Sequence, residues 1–112
     1  MGAPLPSRPR FATLARDGWS LVDAERAYRV RDGVYWVPPV EERRRLRPGM
    51  LARLLFVWAE PAADDPGRER MWVEVERAGD DAFLGRLLNE PAADAPIGEG
   101  ALVRARPAHV VD

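Results

Sequence analysis

The fold is decided by one nine-residue stretch, Glu69-Arg70-Met71-Trp72-Val73-Glu74-Val75-Glu76-Arg77. Its aliphatic residues recur at every second position, which is the period of a β-strand and not of an α-helix. We therefore predict a strand whose buried face carries Met71, Val73 and Val75. The opposite face would carry Arg70, Trp72, Glu74 and Glu76. A large aromatic side chain among charged ones is typical of an interaction surface.

Apolar segments on both sides of this stretch predict its neighbours in a sheet. Residues 50–58 are apolar at nearly every position, which indicates a central strand that is either buried on both faces or paired on both edges. Residues 82–88 form a second apolar run, in which Gly85 indicates a bulge or a close backbone approach. Residues 101–106 predict a further strand, and Pro107 ends its pairing because proline has no N–H to donate.

The first half of the chain is less regular. We expect Ser20 or Asp23 to begin a short helix over residues 24–27, because these side chains cap helix N-termini. Residues 34–37 predict a short edge strand. Residues 40–46 predict a second short helix, with acidic residues in its first turn and arginines near its end.

These elements predict a small α+β domain. The sheet would be mostly antiparallel, or a half-open barrel, with four to five strands and one or two short helices. A chain of 112 residues is long enough for a single core. We assign residues 11–112 to this domain and residues 1–10, which contain three prolines, to a flexible N-terminal segment.

Composition excludes several classes of function. The chain has no cysteine and one histidine, which excludes disulfides, thiolate metal sites and multi-histidine cages, so we expect neither a metal nor a cofactor. Its longest apolar run is too short for a membrane span, and we expect a cytoplasmic protein. Candidate nucleophiles are limited to Ser7, Thr13 and Ser20, so we expect no enzyme activity.

Several segments have the spacing of a known family. In the second half they are 70–75, 85–91 and 107–112, together with Gly100 and Val103. In the first half they are Val37-Pro38, Glu42-Arg43, Leu46, Pro48-Gly49 and 54–56. Over residues 34–112 the chain resembles the bacterial family called domain of unknown function 2314. The resemblance implies a small bacterial α+β domain and supplies no catalytic residue. The chain departs from the family pattern at Met50, Leu88 and Ala101, where the family often has aspartate.

The preferred hypothesis is a non-enzymatic protein-binding or regulatory module with an unidentified protein partner. Its candidate binding residues are Arg70, Trp72, Glu74, Asn89, Glu90 and His109. Each has a structural alternative. A helix or the N-terminal segment could cover Trp72, Asn89 could bond its own backbone in a turn, and His109 could be a terminal surface histidine.

A second hypothesis is a nucleic-acid-binding small β domain. This hypothesis rests on aromatic and basic residues that lie close together in the sequence, as they do in proteins that bind single-stranded nucleic acid. These residues are Tyr35, Trp36, Arg43, Arg44, Arg45 and Arg47. The alternative is a solvated helix face, which a run of charges usually forms. The net charge of −1, from 17 basic and 18 acidic residues, makes nucleic acid the less favoured partner.

Overall fold

A computed structural model of the protein describes residues 4–26, 39–60, 67–92 and 95–111. Five antiparallel strands form one sheet, and their order in the sheet is their order in the chain. They are β1 (Trp19–Leu21), β2 (Leu51–Trp58), β3 (Arg68–Ala78), β4 (Phe83–Leu87) and β5 (Leu102–Ala105). Short helices are α1 (Leu14–Asp17), α2 (Val40–Arg43) and the 3-10 helix Pro107–His109. The predicted α+β class with a half-open barrel is confirmed.

Strand β2 is the central element, as predicted. One of its edges pairs with β3 from Leu51 to Val57. The other edge is shared, because β1 pairs with its last three residues while Val110 bridges to Leu54. The backbone N–H of Val111 also donates to the carbonyl of Arg53 at 2.9 Å. The chain after β5 therefore returns to β2 and curls the sheet into a half-open barrel.

The core lies on the inner side of this curled sheet. Its fully buried side chains include Leu54, Phe56, Val73, Phe83 and Val103. Of the two predicted reasons for the apolar pattern of β2, pairing on both edges is confirmed, whereas burial on both faces holds only in part. On the outer face Leu55 is buried in a second small cluster with Ala24 and Val111, but Leu51 is exposed.

The two features that Gly85 indicated, a bulge and a close backbone approach, are both present. Gly85 pairs with Val75, and the next pair is Arg77 with Leu84, so β3 contains one extra residue at this point. A Cβ atom added to Gly85 would lie 2.8 Å from Cγ2 of Val73. The two strands can approach this closely only because position 85 has no side chain.

The first half agrees with the sequence predictions only in part, since the cap at Asp23 is confirmed and other details are corrected. Asp23 accepts a hydrogen bond from the N–H of Arg26 at 3.0 Å and caps a helical turn at residues 24–26, whereas Ser20 lies in β1. The helix predicted over residues 40–46 is shorter, because the N–H of Arg45 bonds the carbonyl of Glu42 in a tighter turn. The predicted edge strand at residues 34–37 lies outside the described residues.

Residues 4–11, hereafter the N-terminal strap, contact the outer face of β5. The Arg104 guanidinium donates to the carbonyl of Pro9 at 2.7 Å and also to the carbonyl of Pro6. The ring of Phe11 lies under Arg104 and Arg106, at 5.7 and 4.1 Å. The strap is therefore attached to the domain, and its predicted flexibility stays a prediction.

Candidate protein-binding surface

The alternation of β3 places five side chains in one row on the outer face of the sheet. Arg68, Arg70, Glu74 and Glu76 are exposed, and Trp72 in the middle is half-buried. We define the Trp72 face as this row with its outward-facing neighbours on β2 and at the β4 end, namely Leu51, Arg53, Arg86 and Leu88. The predicted strand geometry of Arg70, Trp72 and Glu74 is confirmed. Arg68 was missed because the alternation was read from position 69 onward.

Arg53 covers part of the Trp72 indole. It is the cross-strand partner of Trp72, and its Cζ atom lies 4.5 Å from the centroid of the ring. A guanidinium over an indole is a favourable cation–π contact. Trp72 is thus neither fully exposed nor covered by the N-terminal strap, and its ring is held in a defined position.

Asn89 fixes the backbone of Trp72. The N–H of Leu88 donates to the carbonyl of Trp72 at 2.9 Å, and the N–H of Trp72 donates to Oδ1 of Asn89 at 2.7 Å. Strand β4 ends at Leu87, so the Asn89 side chain supplies the acceptor that a longer strand would have supplied. The interpretation of Asn89 as bonding its own backbone is corrected, because the bond crosses to β3.

Two exposed leucines flank Trp72. Leu51 is 54% exposed and pairs with Glu74, which makes it a diagonal neighbour of Trp72 on β2. Leu88 is 40% exposed and lies beside Trp72 at the end of β4. Neither leucine is predicted as a surface residue from the sequence, because each lies within an apolar run of a predicted strand. The alternation of side chains along a strand could have revealed Leu51, because Leu51 and Arg53 are two residues apart and therefore lie on the same face.

An ion pair closes one end of the Trp72 face. The Arg86 guanidinium binds both carboxylate oxygens of Glu76, at 2.9 and 2.8 Å, and donates to the carbonyl of Gly100 at 2.9 Å. The hydrogen bonds from Arg86 hold the pKa of Glu76 below its usual range, and those to Glu76 raise the pKa of Arg86. The geometry is bidentate, which gives this exposed pair a fixed orientation.

The loop after β4 is held by carboxylates. Glu90 accepts a hydrogen bond from the N–H of Glu99 at 3.1 Å. Glu69 accepts one from the N–H of Ala92 at 2.7 Å and one from Nε1 of Trp58 at 3.1 Å. Glu90, a predicted binding residue, therefore has a clear role in shaping its own loop.

His109 lies in the 3-10 helix at the opposite end of the β4–β5 hairpin from Asn89. It is half-buried, so it is not the terminal surface histidine considered as the alternative. Its Nδ1 accepts the N–H of Arg106 at 2.9 Å, and its ring meets Phe11 edge-on. Burial lowers the pKa of His109 to about 4, opposed by Asp23 and assisted by Arg106. The structure does not bring it to Asn89 and Glu90.

The alternative nucleic-acid surface loses one of its arginines. Arg43 is 6% exposed and donates to Glu25 at 2.6 Å and to the carbonyl of Pro107 at 3.1 Å. This corrects its assignment to a solvated face, because its charge is used inside the fold. Arg44, Arg45 and Arg47 are exposed, and Arg44 lines a cleft of about 420 Å³ that also contains Asp80 and Asp81. Tyr35 and Trp36 lie outside the described residues.

Among residues 4–26, 39–60, 67–92 and 95–111, no group of three or more histidine, aspartate or glutamate side chains is placed to hold a metal ion. In that same part of the chain, no helix has the length and apolar character needed to cross a membrane.

Comparisons with known proteins found no match, whether among family models, curated proteins or solved structures. The resemblance to the domain of unknown function 2314 family therefore stays a prediction.

Proposed function

We propose that this protein is a non-enzymatic protein-binding module whose partner contacts the Trp72 face. The observation that carries this proposal is the grouping of Leu51, Trp72 and Leu88 across three adjacent strands, with charged side chains around them. An apolar centre with a polar border is the anatomy of a protein–protein interface.

The Trp72 face favours a protein over a nucleic acid. It carries four arginines and two glutamates, a net charge of +2, and Arg86 already binds Glu76, so its positive field is weak for holding phosphates. The arginine cluster at residues 43–47 is weakened as an alternative, because Arg43 is buried and Arg44 stands near Asp80 and Asp81.

Trp72 is suited to be the dominant contact. Its backbone is fixed by Asn89 and its ring by Arg53, so little side-chain entropy is lost when a partner binds. Tryptophan is enriched among residues whose truncation costs about 2 kcal/mol or more of binding free energy. We expect Trp72→Ala to weaken binding by about 30-fold, which is that free energy expressed as a ratio.

Affinity capture from extracts of the source cells tests this proposal. Wild-type protein is compared with Trp72→Ala, with Leu51→Glu and with Leu14→Glu. Leu14 is the matched control, because it is 42% exposed and lies in α1, outside the Trp72 face. Circular dichroism confirms that each variant is folded.

We expect a partner to be captured by wild-type protein and by Leu14→Glu, and to be lost with the two variants of the Trp72 face. Capture of the same partner by all folded variants would refute the assignment of the surface. Failure of wild-type protein to retain any specific partner would refute the function.

A further inference from the structure

The N-terminal strap lies on the outer face of the β4–β5 hairpin. Leu84 and Arg104 are paired on this face, and Leu102 shares it because it lies two residues before Arg104. Leu84 and Leu102 also line a groove of about 720 Å³ to which Pro6 of the strap contributes. We define the strap groove as the part of this face that the strap contacts, with the residues Gly79, Leu84, Leu102, Arg104 and Arg106.

Arg104 binds the strap through backbone carbonyl groups. Its Nε donates to the carbonyl oxygen of Pro9 at 2.7 Å, and its Nη2 donates to the carbonyl oxygen of Pro6. A guanidinium carries only donors, in a rigid fork, so it selects two acceptors at a set separation. Proline suits both positions, because it offers a carbonyl and has no N–H that would need an acceptor on this surface.

Two apolar side chains of the strap also have defined places. The ring of Phe11 lies 4.1 Å from Cζ of Arg106 and 5.7 Å from Cζ of Arg104, and both are favourable cation–π contacts. Leu5 rests against Gly79, where an added Cβ atom would lie 3.2 Å from Cγ of Leu5. The absence of a side chain at position 79 therefore makes room for Leu5.

The other side chains of the strap take little part in this contact. The exposed ones are those of Pro4, Pro6, Ser7, Arg8 and Arg10. Recognition therefore depends on two carbonyls, one leucine and one aromatic ring, at fixed spacings within residues 5–11. A segment with so few buried side chains opens at a low cost in free energy, so the strap can leave while the rest of the domain stays folded.

We infer that the strap groove is a binding site for a proline-containing segment of another protein, and that the strap occupies this site in cis. The segment that fits has the pattern Leu-Pro-x-x-Pro-x-Phe, which is the pattern of residues 5–11. Small binding modules often recognise proline-rich segments, because a stiff segment loses little entropy on binding. The strap groove and the Trp72 face are built from different residues, so this inference goes beyond the proposed function.

The strap competes with such a segment because it is tethered. It joins the domain through Ala12 to Thr13, the cap of α1, so its effective concentration at the groove is in the millimolar range. A free segment that makes the same contacts therefore binds wild-type protein about tenfold more weakly than it binds a chain whose own strap is released. The strap thus restricts the groove to ligands that bind more tightly than the strap itself.

Titration of isotope-labelled full-length protein with a synthetic peptide of residues 4–11 tests the inference by nuclear magnetic resonance. The receptor carries Leu5→Ser and Phe11→Ser, which release the strap and leave every residue of the groove unchanged. We expect the peptide to bind this receptor with a dissociation constant of roughly 0.1–1 mM, and wild-type protein about tenfold more weakly. The Nε–H signal of Arg104 and the amide signal of Gly79 should shift on binding.

A change at Arg104 in the same receptor is the decisive control. Arg104→Lys keeps the positive charge but cannot fork between two carbonyls, so the affinity should fall about tenfold. A peptide of the same composition in scrambled order is the matched ligand, and it should not bind. Added salt should not weaken the interaction, because the peptide and the groove both carry arginines and repel each other.

Each of the other outcomes overturns the inference. A folded receptor that does not bind the peptide at concentrations up to about 5 mM has no such site. Equal binding of the scrambled peptide, or equal binding to the Arg104→Lys receptor, refutes recognition of the carbonyls. Tighter binding of a glutamate-rich peptide of the same length would show that the groove takes acidic segments instead. Equal binding to wild-type protein refutes occupation by the strap. If the doubly substituted receptor does not fold, Leu5→Ser alone takes its place.

Discussion

Position 85 has no room for a side chain. A Cβ atom there would lie 2.8 and 2.9 Å from two atoms of Val73, which is fully buried. We expect Gly85→Ala to lower the free energy of unfolding by about 1–3 kcal/mol, because overpacking forces neighbours to move. A Val73→Ala background removes the contact with Cγ2 at 2.8 Å but keeps the contact with Cβ at 2.9 Å, so the same substitution should cost less there but still destabilise the protein. Urea unfolding of the four proteins measures this coupling. Equal costs in both backgrounds would contradict the steric explanation.

His109 makes stability depend on pH. Its pKa is about 4 in the folded protein, against 6.5 for an unperturbed histidine. As pH falls from 6.5 to 4 the unfolded chain takes up a proton that the folded protein does not, so the free energy of unfolding decreases. The loss from this group approaches about 3 kcal/mol and then levels off, since each pKa unit is worth 1.36 kcal/mol.

The variant His109→Asn isolates this effect. Asparagine retains a polar acceptor near the position of Nδ1 but does not titrate. We expect the difference in unfolding free energy between wild-type protein and the variant to change over this pH range. Curves that stay parallel would show that His109 does not titrate as described.

Residues of the Trp72 face could be predicted from sequence to the extent that their positions depend on strand period alone. Period two was sufficient to place Arg70, Trp72 and Glu74 on one face. The Arg53 contact and the Asn89 bond could not be predicted in this way. Both depend on which residues of neighbouring strands stand opposite Trp72, and strand period alone does not fix that register.

One arginine of β5, Arg104, supplies hydrogen bonds to the N-terminal strap. Arg104→Met keeps an apolar stem but loses the hydrogen bonds to the carbonyls of Pro6 and Pro9. We expect the bond between Arg10 and Phe11 to be cut faster by trypsin, because release of the strap makes this bond accessible. Mass spectrometry of the digest gives the cleavage rate. Arg45→Met is the control, and an unchanged rate in Arg104→Met would show that other contacts hold the strap.

Strands β2 to β5 were predictable, and of the short elements only the helical turn after Asp23 and the start of α2 were. The periodic runs of β2, β3, β4 and β5 carry their own signal, because several residues repeat the same pattern. Strand β1 has three residues and exists because an edge of β2 is available to it. Helix α1 is a single turn held by its Thr13 cap and by Gly18, and a helix this short is unstable outside its tertiary context.

The whole molecule depends on the return of the chain to β2. Its radius of gyration is 13.6 Å, close to the value of about 13–14 Å expected for a compact chain of this length. Val110 is buried where this return is made. We expect Val110→Ala to lower the free energy of unfolding by about 2 kcal/mol, as for other buried aliphatic truncations. Leu14→Ala, at an exposed site, should cost less than about 0.5 kcal/mol. Equal losses in urea unfolding would contradict a structural role for this closure.

The closure of the barrel also sets an order of events during synthesis. The ribosome synthesises β1, β2, β3 and β4 before the segment that contains Val110, so these strands can pair while one edge of β2 stays incomplete at Leu54. An incomplete edge is a template for pairing with another nascent chain, and contacts between distant residues form slowly. The interval before residue 110 emerges is therefore the stage at which this protein is most exposed to misassembly.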